Sequence, residues 1–199
     1  MKKGLLVFIV ILLVLLVGGC SVYKNIQNGL NASEQDVKAK WAEVQNQYQR
    51  RYDLVDNLVR TVKAAAEHEK TTLEAVINAR AKASSITVDP ADLTPEKLRE
   101  FQAAQGELSQ ALGRLMVVQE QYPNLKANEN FLNLQAQLEG TENRIAVARG
   151  NFNTSVQAYN TKVKNFPTSI VAGWMGFKER AEFQADPNAQ KAPQVNFDN

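Results

Sequence analysis

Two constellations in this 199-residue chain carry side chains that could do acid-base or ionic chemistry. His68, the one histidine, stands between Glu67 and Glu69 and has the atoms of a general base. It lies in a charged stretch with no nucleophile pattern near it, and efficient proton transfer needs an enclosed, oriented partner. A solvated residue at a helix end is the reading its surroundings favour. Arg51, Glu142 and Arg149 form the second set, because each falls on or beside an otherwise apolar helical stripe, where a charge needs a partner. One cysteine excludes an intramolecular disulfide, and with one histidine it leaves too few soft ligands for a zinc site. No glycine-rich phosphate loop, HExxH helix or GxSxG elbow occurs. No catalytic residue, metal or cofactor is therefore assigned.

The elements that must position these residues begin with an anchor. Lys2 and Lys3 precede Leu5 through Val17, which are apolar without interruption. That run fits the core of a secretory signal and is short for an independent span. Val17-Gly18-Gly19-Cys20 resembles a bacterial lipobox, in which an aliphatic and two small residues precede a cysteine that is lipidated and becomes the new amino terminus. The competing reading extends the segment to Tyr23, about 30 Å of helix and enough to cross a bilayer. Either puts the chain on a membrane, and the leading lysines favour an extracytoplasmic body. Since those lysines are the only charges before Cys20, a chain starting there would be formally balanced, which argues against an electrostatically driven nucleic-acid binder.

The body reads as all-α. From Val37 the apolar series runs Trp41, Val44, Tyr48, Val55, Leu58 and Val62, with Ser33 as its expected amino-terminal cap and Arg51 in the same seam. A break is expected near Glu67, followed by a helix through Leu73, Val76 and Ile77. Residues 86–93 read as a loop, and Thr94-Pro95-Glu96 starts a helix with the stripe Leu98, Phe101, Leu108, Leu112, Leu115 and Tyr122, stopped by Pro123. The final long helix, from about Lys126 to Asn165, carries Phe131, Leu138, Ile145, Phe152, Tyr159 and Phe166 at an unbroken spacing of seven. Such spacing holds one edge against a partner helix, as in coiled-coil-like bundles. An Arg51–Glu142 contact is expected, with Arg149 reaching Asp53 or Asp56, in a structural role that fixes helix register.

Several short motifs carry a family resemblance. They are Gln49-Arg50-Arg51, Asp53-Leu54-Val55, Asn57-Leu58-Val59, His68-Glu69, Ala79-Arg80, Tyr122-Pro123-Asn124-Leu125-Lys126-Ala127-Asn128, Gly140-Thr141-Glu142-Asn143-Arg144-Ile145, Ala148-Arg149, Tyr159-Asn160, Phe166-Pro167 and Gly176-Phe177-Lys178. Each is weak alone; in this order they are specific, and the chain resembles the LemA family of bacterial membrane-associated proteins over nearly its whole length. The resemblance implies an amino-terminal membrane helix followed by an antiparallel bundle of four helices, and it brings no molecular activity with it. Asp56 stands where relatives often have proline, so the first helix should run straighter. Cys20 suggests lipidation where many relatives look like plain single-span proteins.

These readings divide the chain into a signal or anchor (1–19), a juxtamembrane linker (20–32), a bundle with an apolar carboxy-terminal segment (33–178) and a polar mobile tail (179–199). Within Phe166–Lys178 the apolar residues either fold back to cap the bundle or dock a partner or the bilayer through Trp174 and Phe177. Four helices would return this stretch to the membrane side; three would leave it far away. The expected function is a non-enzymatic, membrane-tethered scaffold for another envelope protein, with Arg50, Lys126, Asn128, Asn143, Asn153 and Asn160 as contact candidates and local capping as their competing role. An enzyme or small-ligand receptor built on Arg51, Glu142 and Arg149 is the alternative, and it requires a concave opening there; the scaffold reading expects those charges sealed by Leu, Phe and Ile neighbours. The bilayer and an envelope protein are the expected partners, nucleic acid is not, and self-association stays open.

Overall fold

The chain folds as one very long helix whose upper part packs in a bundle with shorter ones. The structure, a computed structural model, describes residues 2–65 and 69–184. Helix α1 runs from Lys2 to Ala65, about 96 Å at 1.5 Å per residue. Its first part, Leu5–Val17, is exposed on every side, and the helix is long and apolar enough there to cross a membrane. The stretch 20–32, expected as a linker, is helical. Ser33 is not a cap: the helix is already running when it reaches this residue, no free N–H remains, and the hydroxyl donates back to Gly29 O at 3.0 Å.

Above that level α1 buries the expected stripe, with Val37, Trp41, Val44, Tyr48, Val55, Leu58 and Val62 inside. Helix α2, Lys70–Ser85, folds back along it, Arg80 pairing with Asp56 at 2.6 Å and the Tyr52 hydroxyl donating to Ala83 O at 3.0 Å. One helix thus ends at Ala65 and another begins at Lys70, while Glu67 and His68 lie outside the described residues. In the following loop Trp41 Nε1 donates to Val88 O at 3.1 Å, holding the connection against α1. Helix α3, Pro95–Val118, has the predicted start, with Thr94 accepting from the Lys97 N–H. It ends before Pro123, which does not stop α3 but opens the short α4, Pro123–Lys126, as a first-turn proline.

Helix α5, Glu129–Lys164, is capped by Asn128, whose Oδ1 accepts from the N–H groups of Asn130 and Phe131 at 3.0 and 3.2 Å. It runs antiparallel to α1, as contacts of Glu142 with Arg51, Ser155 with Asp36 and Lys162 with Ser33 require. Phe131, Leu138, Ile145, Phe152 and Tyr159 are buried, but Phe166 is 81% exposed. The sevenfold series stops short of it because Pro167 disfavours helical geometry at Asn165–Phe166, and α5 ends at Lys164. Helix α6, Thr168–Met175, follows and ends at Gly176, whose φ of 78° needs a residue without a side chain.

The four long helices run up, down, up and down, and α6 packs on α1 and α5 at the end where α1 departs toward its apolar run. Neighbours pack in the order α5, α1, α2, α3, and the ring does not close: no Cα of α3 comes within 8 Å of one in α5. Residues 179–184 are not a free tail but lie against the bundle, with Phe183 buried between Trp41, ring centroids 5.9 Å apart, and Phe152, 5.5 Å apart. Residues 185–199 are outside the described part.

Candidate functional site

The unclosed side of the ring is a slot between α3 and α5, and its lower part holds the chain's own residues 180–184. Asn160 donates to Arg180 O and accepts from its N–H, each at 2.9 Å; Asn153 does the same to Phe183, also at 2.9 Å. The periods agree, since seven helical residues rise about 10.5 Å and three extended residues about 10 Å. Two asparagines one heptad apart therefore clamp an extended segment every third residue. From the other wall Leu93 O accepts from the Ala181 N–H at 3.1 Å, and Gln102 donates to Gln184 O at 3.2 Å.

Above Gln184 the slot continues as a groove of about 680 Å³, and its lining includes Tyr48, Arg51, Arg99, Gln102, Gln105, Ser109, Glu142 and Arg149. Arg51 rises from α1 as part of the floor and is 3% exposed, carried inward by its place in the apolar seam. Its Nη2 donates to Ser109 Oγ at 2.7 Å on α3, and its Nε sits 2.9 Å from Glu142 Oε1 on α5. That carboxylate lies off the N–H direction, so Nε has no aligned acceptor. Glu142 itself is 48% exposed. Beyond this bridge a further recess of about 330 Å³ opens among Ser109, Leu112, Gly113, Met116, Gln135 and Leu138. The groove is thus elongated and spanned by one ion pair.

Its chemistry is that of recognition by fixed positive charge. Around the main opening three guanidiniums face the Glu142 carboxylate, and arginine stays protonated at any ordinary pH. Arg99 also lies 3.5 Å from Glu96 Oε1, and Glu139 lines the further recess. Gln105, held through its Nε2 by the Tyr52 hydroxyl, leaves a buried Oε1 without a partner. Burial pushes the Tyr48 phenol above its ordinary range against the opposing pull of Arg149 and Arg51, so it remains a neutral hydroxyl. The Ser109 hydroxyl donates to Gln105 O at 3.1 Å and accepts from Arg51, an arrangement that lowers its nucleophilicity. Among the described residues no group of three or more His, Cys, Asp or Glu is placed to hold a metal ion.

Arg149 does not reach Asp53 or Asp56. It lies 4.5 Å over the Phe183 ring, while Asp56 pairs with Arg80 and Asp53 accepts from Gln49. Nor are the three charges sealed by apolar neighbours: Arg51 alone is buried, and a concave opening surrounds the set. Of the contact candidates, Arg50 and Asn143 are exposed, Asn128 caps α5, and Asn153 and Asn160 grip the chain's own carboxy-terminal strip. Lys126 closes α4, its side chain outside what is described. Trp174 is 82% exposed, whereas Phe177 packs partly buried against the core. Cys20 is exposed on α1. Sequence reasoning missed Phe183, Arg99 and the strip; a lone phenylalanine in a polar stretch was the one available signal.

Comparison with known proteins places this architecture. The model of the LemA family matches residues 40–197. The chain is 36% identical over 84 residues to Magnetosome protein MamQ 2 of Paramagnetospirillum magneticum, and equally to Magnetosome protein MamQ of Magnetospirillum gryphiswaldense, covering 42% of this chain. The match spans 31% of the length of those relatives. It is 26% identical over 164 residues to Protein LemA of Metamycoplasma hominis, covering 82% of this chain and 71% of the relative. With a sequence match across the whole bundle and a helical architecture of the kind its motifs imply, the chain belongs to the LemA family.

Proposed function

We propose that this protein is a membrane-tethered, non-catalytic adaptor whose α3–α5 groove holds an extended, carboxylate-bearing segment of another envelope protein. The tether is the acylated amino terminus at Cys20, left after cleavage removes the apolar start of α1, and the body stands on the extracytoplasmic side. The observation that carries the reading is the continuity of the slot: its lower part already grips an extended segment through paired asparagines, and its upper part presents Arg51, Arg99 and Arg149. The concave opening that a ligand receptor would need is present, and its volume is within the range of small-molecule sites. Its length, continued past the Arg51–Glu142 bridge, favours a chain over a compact molecule. Tethering raises the effective concentration of such a partner at the surface.

A photoreactive residue introduced at Gln102 in the groove wall, in membranes of the native host, tests this. A discrete protein adduct is expected from that position and not from Val147, which is exposed on α5 and does not line the groove. Arg99→Gln with Arg149→Gln should lower the adduct several-fold. Equal adducts from both positions, none from Gln102, or only an internal adduct to residues 185–199 would defeat the proposal.

A further inference from the structure

The end of the bundle nearest the apolar run carries a second apolar surface. In α6, Val171 and Ala172 are buried against the bundle, while Ile170 and Trp174, one turn apart, share a face that points away from it. Ile170 is 48% exposed and Trp174 82%, and Phe166 just ahead of the helix is 81% exposed. Three large apolar side chains left in solvent in and just ahead of one short helix are an exposure that soluble surfaces seldom carry without a use.

Its height can be read from helix geometry. Lys162 of α5 contacts Gly29 O and Ser33 Oγ of α1. Gly29 stands six residues above Tyr23, about 9 Å, and α5 descends a further two residues beyond Lys162 before it ends. Phe166 and the start of α6 therefore lie within roughly 5–10 Å of the level of Tyr23. Either tether, the uncleaved helix or an acylated Cys20, brings the bilayer surface to residues 20–23. Lys24, exposed at that level, supplies positive charge suited to anionic headgroups.

We infer that Phe166 and α6 form a foot that rests on the same bilayer, with Phe166, Ile170 and Trp174 entering its headgroup region. Tryptophan is suited to this depth because its ring is apolar while its N–H can face water. The foot is a non-covalent contact beside the tether and sets the tilt of the bundle. The inference rests on the membrane tethering proposed above.

The chain has two tryptophans, and Trp41 is buried in the bundle at 1% exposure, so emission from Trp174 is obtained as the difference between the native chain and Trp174→Phe. The full-length protein is reconstituted in phosphatidylcholine–phosphatidylglycerol vesicles whose phosphatidylcholine is brominated near the top of one acyl chain. Flotation with the vesicles and quenching of Trp174 several-fold stronger than that of Trp41 are expected. A Phe166→Ser, Ile170→Ser pair should keep flotation and lose that quenching. A chain that floats with Trp174 unquenched overturns the foot alone; a chain that does not float overturns the tether and the foot together.

Discussion

Phe183 is the residue on which the open side of the bundle depends. It fills the space between Trp41 and Phe152 and carries the Arg149 guanidinium over its ring, while Asn153 pairs both polar atoms of its backbone. Phe183→Ala should cost about 3 kcal/mol, within the range for buried aromatic truncation. Urea unfolding followed by the emission of Trp41 reads that loss; a change below about 0.5 kcal/mol would mean the strip contributes nothing, since that is the scatter of surface substitutions. Residues of this kind were hard to find in the sequence. A heptad phenylalanine such as Phe152 announces its burial through five neighbours in register, but an extended strip of a few residues has no period, and Phe183 stands alone among polar neighbours. Ser33 failed for the opposite reason. A serine before acidic residues looks the same whether a helix begins there or is already running, and the difference lies upstream in the unbroken apolar run.

At the scale of elements, periodicity made most of the helices legible: the buried stripes of α1, α3 and α5 are those the spacing predicts, except for Tyr122 and Phe166, which lie past the ends of α3 and α5. The Thr94 cap was legible because its hydroxyl and Pro95 act within one turn. Arg51 and Glu142 were both visible as charges on apolar seams and do meet, whereas the partner of Arg149 was not, because Phe183 reaches it from outside any periodic element. The proposed tether makes its own prediction for α1. Intact mass of the membrane-extracted protein should show loss of the first 19 residues with added acyl mass, and Cys20→Ser should abolish both changes. Full length without acyl groups would leave α1 as a spanning helix.

Across the whole molecule, three buried tyrosines tie stability to alkaline pH. Desolvation raises the pKa of Tyr48, Tyr52 and Tyr159 from the usual 10.0, an effect partly opposed at each by nearby arginines and, at Tyr52, first by its hydrogen bond from Gln105. Between the unfolded and folded pKa values the folded chain holds protons that the unfolded chain has released. Their stabilising contribution is therefore complete below about pH 10 and is lost as pH rises through the folded values. Thermal melts followed by circular dichroism should show a falling midpoint above pH 10, and Tyr48→Phe with Tyr159→Phe should flatten the fall. The unbroken course of α1 has a further effect. Helix α1 runs without interruption from the level of Tyr23 into the core, so no hinge between them lets the body swing like a ball on a chain; base and body are one mast. Arg51 is carried about 40 Å above Tyr23, so under the proposed tethering a segment held in the groove must itself stand that far off the bilayer.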